Sequence, residues 1–373
     1  MKAHIGIITN AVPHSGVGVR AYEIARRIEK SGDISAPLIV LDGEKNSLEI
    51  SGNTVKKISP WPGIFGSKSI SWIRLARHLP DFDVYDISNQ TLSFIAKKKR
   101  PSIVTVHDII ELTNPQDPNA RPLNAYLLGG ITNASRIIAV SEYTKRSLMS
   151  YFRVSEDSIT VIPNGVGVEY KKIPNFRSTI GYRQLIRELG IGDDRPVIVS
   201  VGSEHPRKNM KTVLRVLASL KKEFPNILLI KVGNPGILSG RREVLSLIDE
   251  LRLQDNVKLV GNISTERIND LYNIATCLLF PSRHEGFGLP PLEAMASGCP
   301  VVCSNATSLP EIVGDAAILH DPDDVAGFTA SISKLVHNDV RAREYSDKGI
   351  QQSKKFSWDA AARAMEAVYR DLL

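Results

Sequence analysis

Two carboxylates, Glu285 and Glu293, stand in the stretch Leu279-Phe280-Pro281-Ser282-Arg283-His284-Glu285-Gly286-Phe287-Gly288-Leu289-Pro290-Pro291-Leu292-Glu293-Ala294-Met295-Ala296-Ser297-Gly298. A carboxylate can accept two hydroxyl hydrogen bonds at once, so two of them flanking a phosphate site suit a ligand with sugar hydroxyls at both ends. The pattern predicts a buried strand ending at Phe280, a loop with two glycines, and a helix from near Pro291, where proline fits the first turn, ended by Gly298. Glu285 would then lie in the loop at the carboxyl end of the sheet, where open α/β sheets bind ligands. Glu293 would lie in the first helical turn facing the same mouth, with the amides of Gly288 and Leu289 near the positive end of the helix dipole. A plain helix-capping carboxylate is the alternative role for Glu293.

A second group is cationic. Val201-Gly202-Ser203-Glu204-His205-Pro206-Arg207-Lys208-Asn209 ends a strand and opens a helix near Met210. Cations at a helix N-terminus oppose the dipole at a cost of about 0.3–1 kcal/mol. A phosphate or diphosphate between Arg207, Lys208 and the helix amides would turn that cost into charge-assisted hydrogen bonds. A solvated charge pair on a loop is the alternative.

A third group, Gly16-Val17-Gly18-Val19-Arg20-Ala21, fits G-x-G-x-x-A before a helix, and Asp42 ends the second strand where an acidic ribose ligand would sit. In the dinucleotide fingerprint the first glycine follows its strand almost at once. Here Ala11-Val12-Pro13-His14-Ser15 intervene, which weakens the NAD reading and leaves a structural turn or a flexible glycine loop reaching over a cleft.

The elements that must position these groups are short β-branched runs alternating with amphipathic stretches, the signature of parallel βαβ units. Strands are expected at 4–9, 37–41, 84–88, 103–106, 136–140 and 158–162, then at 197–201, 228–232, 257–260, 276–280, 301–303 and 317–319. Helices are expected at 19–30, 123–133, 144–152, 211–222, 241–251 and 324–338. Two such series make two doubly wound domains more economical than one very wide sheet. The turn Pro163-Asn164-Gly165-Val166 marks the break, giving an N-terminal domain over 1–168, a linker over 169–195 and a C-terminal domain over 196–356. A last helix over 357–373 puts Trp358, Ala362, Met365, Tyr369 and Leu372 on one face, and it is expected to return to the N-terminal domain.

Length and composition agree with this plan. The chain has 373 residues, 42% hydrophobic and 23% charged, an ordinary globular composition that suits two or three domains at roughly 100–200 residues each. This excludes a disulfide mini-scaffold, a disordered chain and a collagen-like fibre. The net charge of +7 is spread over both halves, and no zinc-finger spacing or RNP-type motif accompanies it, so nucleic acid is not an expected partner. Cys277, Cys299 and Cys303 form no C-x-x-C pair, which argues against a disulfide framework or zinc site. With no signal-peptide pattern and no apolar run of about 18 residues, the expected location is the cytoplasm, with peripheral contact at the inner face of the cell membrane left open.

The pair Glu285 and Glu293 within E-G-F-G-L-P-P-L-E-A-M-A-S-G, preceded by G-x4-R-K-N and by the glycine group, resembles the family 4 glycosyltransferases, retaining enzymes of the GT-B fold. The resemblance spans essentially the whole chain. It includes Val106-His107-Asp108, Val140-Ser141-Glu142-Tyr143-Thr144-Lys145, Val161-Ile162-Pro163-Asn164-Gly165-Val166 and Ser308-Leu309-Pro310-Glu311-Ile312.

The resemblance implies two Rossmann-like domains facing across a cleft, the donor on the C-terminal one and the acceptor on the N-terminal one. It implies that Arg207 and Lys208 bind and stabilise the donor diphosphate, doing by charge what a metal does elsewhere. Glu285 would hold hydroxyls of the donor sugar and Glu293 the ribose. Gly202, Gly286, Phe287, Gly288 and Leu289 would line the donor pocket, and Gly16 and Gly18 would border it. His107 and Asp108 would lie near the reacting carbon and the acceptor. No metal or bound cofactor is implied. The substrate is a nucleotide diphosphate sugar, best matched to GDP-mannose by Gly-Leu-Pro-Pro-Leu-Glu-Ala-Met-Ala, with UDP-glucose and UDP-GlcNAc as competitors. The acceptor is a hydroxyl of a glycan or lipid-linked saccharide. A non-catalytic nucleotide-sugar sensor is the reading from outside enzymology.

Three features count for less. Asp81-Phe82-Asp83 matches the D-x-D metal motif of the other large glycosyltransferase fold, but it leads into a strand instead of closing one. Lys97-Lys98-Lys99-Arg100 ends a helix, where cations complement the dipole. Residues 56–77 mix Trp61, Phe65 and Trp72 with five basic residues, which suits either a lipid interface or packing on the N-terminal domain.

Overall fold

The computed structural model describes residues 2–11, 15–59, 68–113, 121–192, 195–236 and 238–373. The chain divides into two compact units, Met1–Gly165 with Ser357–Leu373, and Val166–Phe356.

The first unit is built on a sheet of β1 (Ala3–Thr9), β2 (Ile34–Ser35), β3 (Leu38–Asp42), β4 (Ser47–Ile50), β5 (Asn53–Lys57), β6 (Val84–Ile87), β7 (Ser102–Val106), β8 (Arg136–Ala139) and β9 (Ile159–Val161). Their order is β5-β4-β3-β1-β6-β7-β8-β9, with β2 paired to β1. The strands β1, β6, β7 and β8 read as near-continuous apolar runs because both faces are covered, and Ile8, Ile87, Val104, Val106 and Ile137 are in the buried core.

The antiparallel hairpin β4–β5 was not expected. Its turn is Ser51-Gly52, both at positive φ (48° and 87°), which is the hairpin geometry that glycine favours. The expectation failed there because the strands are short and largely polar, with little apolar alternation to read. Lys56 and Lys57 belong to β5. Trp61 and Phe65 lie outside the described residues.

The second unit is a doubly wound parallel sheet of β10 (Val197–Val201), β11 (Leu228–Val232), β12 (Val257–Val260), β13 (Cys277–Phe280), β14 (Val301–Ser304) and β15 (Ile318–His320), in the order β12-β11-β10-β13-β14-β15. Its core includes Ile198, Val213, Leu217, Leu229, Leu279, Val302 and Phe328.

The stretch 169–195, expected as a linker, is part of this unit. Thr179 caps a helix Ile180–Leu189 that ends at the left-handed Gly190 and buries Tyr182, Leu185 and Leu189. Asn269 and Asn273 accept the backbone N–H groups of Lys171 (3.0 Å) and Ile173 (2.7 Å). The helical spacing of those three apolar residues was a readable signal, outweighed by the polar residues around them.

The C-terminal helix Trp358–Leu372 is capped by Ser357 and buries Trp358, Met365 and Tyr369 in the first unit. Gly165 permits the approach: a Cβ there would lie 2.1 Å from the Trp358 backbone nitrogen. Lys97 ends a helix, the 3-10 helix Gln90–Lys97. Asp83 accepts from the His4 backbone N–H (2.8 Å) and Asp81 pairs with Lys99 (2.8 Å), so both D-x-D carboxylates serve the amino end of the sheet. Among the described residues no helix is long and apolar enough to cross a membrane.

Candidate active site

At the carboxyl end of β10 the chain leaves the sheet through Gly202 (φ 143°), makes the short 3-10 turn Pro206–Lys208, and enters the helix Met210–Lys221. Asn209, buried and left-handed at φ 56°, joins turn to helix. Its amide donates to the carbonyls of Pro281 (3.2 Å) and Pro322 (2.7 Å), and its oxygen accepts from Arg283 (3.2 Å). The Arg207 carbonyl accepts from the Arg283 backbone N–H (2.7 Å), and Ser282 Oγ lies 3.1 Å from it. The strand-end loops after β10 and β13 are thereby stitched together, which brings the cationic turn to Glu285.

Glu285 is buried with both oxygens engaged. Lys208 Nζ (2.5 Å) and Ser282 Oγ (2.6 Å) donate to Oε1, and Arg207 Nη1 (3.1 Å) donates to Oε2. Burial alone would raise this carboxyl's pKa, but the charges of Lys208 and Arg207 and the hydrogen bonds from Lys208 and Ser282 outweigh it and hold it below the usual range. The backbone around it is fixed from the loop after β14. Thr307 Oγ1 accepts from Glu285 N–H (3.0 Å), and Ser308 Oγ lies 2.9 Å from the carbonyls of both Glu285 and Phe287. An ionised carboxylate has about four acceptor positions. Three are used, two on Oε1 and one on Oε2.

Gly288 is left-handed at φ 114°, and a Cβ there would meet Leu309 Cδ2 at 2.7 Å, so glycine is required where the loop turns into the helix Leu289–Ala296. Phe287 is buried with its ring edge-on against Phe356 (centroids 5.8 Å, interplanar 82°). The helix starts earlier than expected, at Leu289. Glu293 therefore stands beyond the first turn and caps nothing. The Tyr272 hydroxyl lies 3.3 Å from Pro290 O and 3.5 Å from Glu293 Oε2. Burial pushes the Glu293 pKa up to about 7, with Glu169 adding to the rise and the Tyr170 and Tyr272 hydroxyls opposing it. The two glutamates thus differ: Glu285 is a firmly ionised carboxylate, Glu293 one that titrates near neutrality.

In the first unit, His107 follows β7 and is buried. Its backbone N–H donates to Gln90 (3.1 Å) and its carbonyl accepts from Thr144 (3.2 Å). Its Nε2 lies 3.1 Å from Ser88 O. A carbonyl only accepts, so Nε2 carries the proton and Nδ1 is left as an acceptor. Burial and the nearby Arg20 charge lower its pKa to about 3, against the Ser88 hydrogen bond, and keep the ring neutral. Asp108 Oδ1 accepts from the Ile110 N–H (3.2 Å).

Gly16 and Gly18 do not form a loop. They open the helix Gly16–Ser31, whose cap Ser15 accepts from the Gly18 N–H; the cap residue was in the sequence but was read as part of the gap. The residues that stitch the second unit's site, Asn209, Ser282, Thr307 and Ser308, were not singled out as functional, since isolated polar residues in loops carry no periodic signal.

Residues 14–170 match the family model "Glycosyltransferase Family 4" and residues 182–356 match "Glycosyl transferases group 1". The O-antigen chain mannosyltransferase B of Escherichia coli is 30% identical over 274 residues, covering 71% of this chain and 69% of that protein. The serotype-specific mannosyltransferase WbdA of the same species is 30% identical over 279 residues, covering 72% of this chain, which spans only 33% of WbdA's length. Among solved structures, sucrose-phosphate synthase from Thermosynechococcus elongatus has a TM-score of 0.82 at 19% identity, covering 100% of this chain and 99% of that one. HepE from Anabaena in complex with UDP-glucose has 0.77 at 20%, covering 99% and 100%. The fold is that of GT-B glycosyltransferases. The chain belongs to glycosyltransferase family 4 and is a hexosyltransferase.

Proposed function

We propose that this protein is a retaining mannosyltransferase that moves mannose from GDP-mannose to a hydroxyl of a glycan or lipid-linked acceptor. The observation that carries the reading is the cluster of Arg207, Lys208 and Glu285 at the carboxyl end of the second unit's sheet. Two cations within hydrogen-bond reach of one carboxylate match a diphosphate joined to a sugar. The mannosyltransferase relatives at 30% identity favour mannose and its GDP carrier.

In this reading the donor diphosphate draws Arg207 and Lys208 toward its oxygens, and their charge stabilises it as it leaves. Glu285, still ionised and held by Ser282, accepts a hydroxyl of the donor sugar. Glu293 accepts from the ribose. Gly202, Gly286, Gly288 and Leu289 admit the donor close to the backbone, with Phe287 contributing its main chain. Gly16 and Gly18 let a ligand approach the amino end of their helix, and His107 and Asp108 serve the acceptor and the reacting carbon. Retention follows a front-face course, in which the departing phosphate takes the acceptor proton through an oxocarbenium-like transition state. The reaction works on cationic side chains without a resident metal and takes place at the cytoplasmic side of a membrane carrying the acceptor.

The likeness to a UDP-glucose complex favours a second donor reading, UDP-glucose or UDP-GlcNAc. Slow release of nucleoside diphosphate from a panel of GDP-mannose, UDP-glucose and UDP-GlcNAc without acceptor distinguishes them. Release from GDP-mannose alone supports the proposal, release from a UDP-sugar alone replaces the donor, and stable binding without turnover of any donor indicates a sensor.

A further inference from the structure

Three ionised side chains beyond the cluster just described meet at the carboxyl ends of β10 and β11, two of them buried. Glu204 has a fully buried side chain, and Lys231 is 1% exposed. Lys231 Nζ lies 2.9 Å from Glu204 Oε1 and donates to Gly233 O (2.6 Å). Arg241, in the helix Leu238–Glu250, grips the same carboxylate with two parallel hydrogen bonds of 2.7 Å each. All other residues of β11, Leu228, Leu229, Ile230 and Val232, are apolar and buried. Taking ions out of water costs several kcal/mol each, and a well-packed apolar set is commonly as stable. The group therefore calls for a role other than stability.

Its position supplies one. The Glu204 backbone N–H donates to Pro235 O (3.0 Å) and the Gly202 N–H donates to Val232 O (3.0 Å), so the loop after β10 is tied to the loop after β11 by main chain as well as by ions. A Cβ on Gly233 would meet Gly202 O at 2.7 Å, which shows how closely the two loops nest. Glu204 immediately precedes His205, whose Nδ1 accepts from the Arg207 N–H (3.3 Å) at the start of the cationic turn. Fixing Glu204 on both its main-chain and side-chain ends fixes where that turn begins.

We propose that Glu204, Lys231 and Arg241 form an ionic clamp that holds the turn bearing Arg207 and Lys208 in the geometry that receives a nucleoside diphosphate. Glu204 and Arg241 are then positioning residues for donor binding, an inference that rests on the functional reading above. Arg241 is the member to vary, because its side chain is 28% exposed and its loss disturbs the core least.

The test is calorimetric titration of the full chain and of Arg241→Met and Arg241→Lys with GDP, GMP, UDP and UMP, with circular dichroism as a folding control. The clamp predicts that Arg241→Met weakens the diphosphate about tenfold and the monophosphate less than about twofold, with Arg241→Lys in between. Unchanged diphosphate affinity, or equal losses for mono- and diphosphate as in a general loosening, would overturn it. If the Met variant does not fold, the diphosphate-to-monophosphate ratio of the Lys variant decides in the same way. A parent chain that binds neither diphosphate would overturn the functional reading and the clamp with it, whereas a binding parent with unaffected variants would overturn the clamp alone.

Discussion

Lys208 Nζ lies 2.5 Å from Glu285 Oε1, so a cation expected to hold a phosphate rests on a carboxylate expected to hold a sugar. The pairing holds the Lys208 ammonium against the carboxylate while its side chain is only 13% exposed. A diphosphate competes for the same ammonium without having to recruit it from solvent. Lys208→Ala should weaken nucleoside diphosphate binding roughly tenfold to hundredfold, the worth of a charge-assisted hydrogen bond. Titration with GDP and UDP checks this, and an unchanged dissociation constant would remove Lys208 from the site.

If Glu293 binds the donor as proposed, it gives the site a proton switch near neutrality. Its pKa rises from an ordinary 4.5 to about 7 in the folded chain. Between those values the folded state holds a proton that the unfolded state has released, so this residue's contribution to stability is present at low pH and lost as pH rises through about 7. The ionised form is the better acceptor for ribose hydroxyls. Donor binding should therefore strengthen as pH rises through about 7 and release protons, as read by titration in buffers of different ionisation enthalpy. Glu293→Gln should abolish both the proton release and the stability slope. Proton-independent binding by the parent chain would refute the assignment.

His107 behaves in the opposite sense. Its pKa falls from 6.5 to about 3, so below about 6.5 the unfolded chain takes up a proton that the folded chain refuses. Stability contributed by the neutral ring is present above that range and lost as pH falls toward about 3. Urea midpoints of the parent should drop faster than those of His107→Gln between neutral and acid pH. In turnover, His107→Ala should slow transfer by about 10²-fold by misplacing the acceptor at the reacting carbon, with GDP affinity unchanged. Equal acid sensitivity of parent and variant would contradict the buried, Nε2-protonated ring.

Tyr369 anchors the C-terminal helix to the first unit's sheet by donating to Asp86 Oδ2 at 2.5 Å. Burial raises the Asp86 pKa to about 6, with Tyr369 and Arg20 opposing the rise. Tyr369→Phe leaves the Oδ2 acceptor buried and unsatisfied, and should cost about 1–3 kcal/mol in urea unfolding. A loss under about 0.5 kcal/mol, the scale of an ordinary surface substitution, would show that the contact anchors nothing.

The sequence was most readable where periodicity or motif spacing carries the physics. Buried parallel strands such as Val197–Val201 and Leu228–Val232 stand out because they are apolar on both faces, apart from Ser200 and Lys231, the latter's charge breaking the pattern where the three-residue ion group sits. Arg207, Lys208 and Glu285 were each visible, and the structure brings them together. Their mutual ion pairs were not legible, because Glu285 follows Lys208 by an entire crossover series and pairing at that range depends on strand order. The hairpin around Ser51-Gly52 and the helix Ile180–Leu189 were missed for the opposite reason, too few apolar residues against a polar background.

The central claim is that the second unit binds a nucleoside diphosphate through Arg207 and Lys208, the two cations paired with Glu285. Its most direct test is thermal unfolding of the full chain with GDP, UDP and ADP, since a ligand at 100 times its dissociation constant stabilises the folded state by about 2.7 kcal/mol. The account predicts a clear rise in Tm with GDP, smaller rises with UDP and ADP, and a GDP shift cut to about half or less in Lys208→Ala. No rise with any of the three, or an undiminished rise in Lys208→Ala, would contradict it.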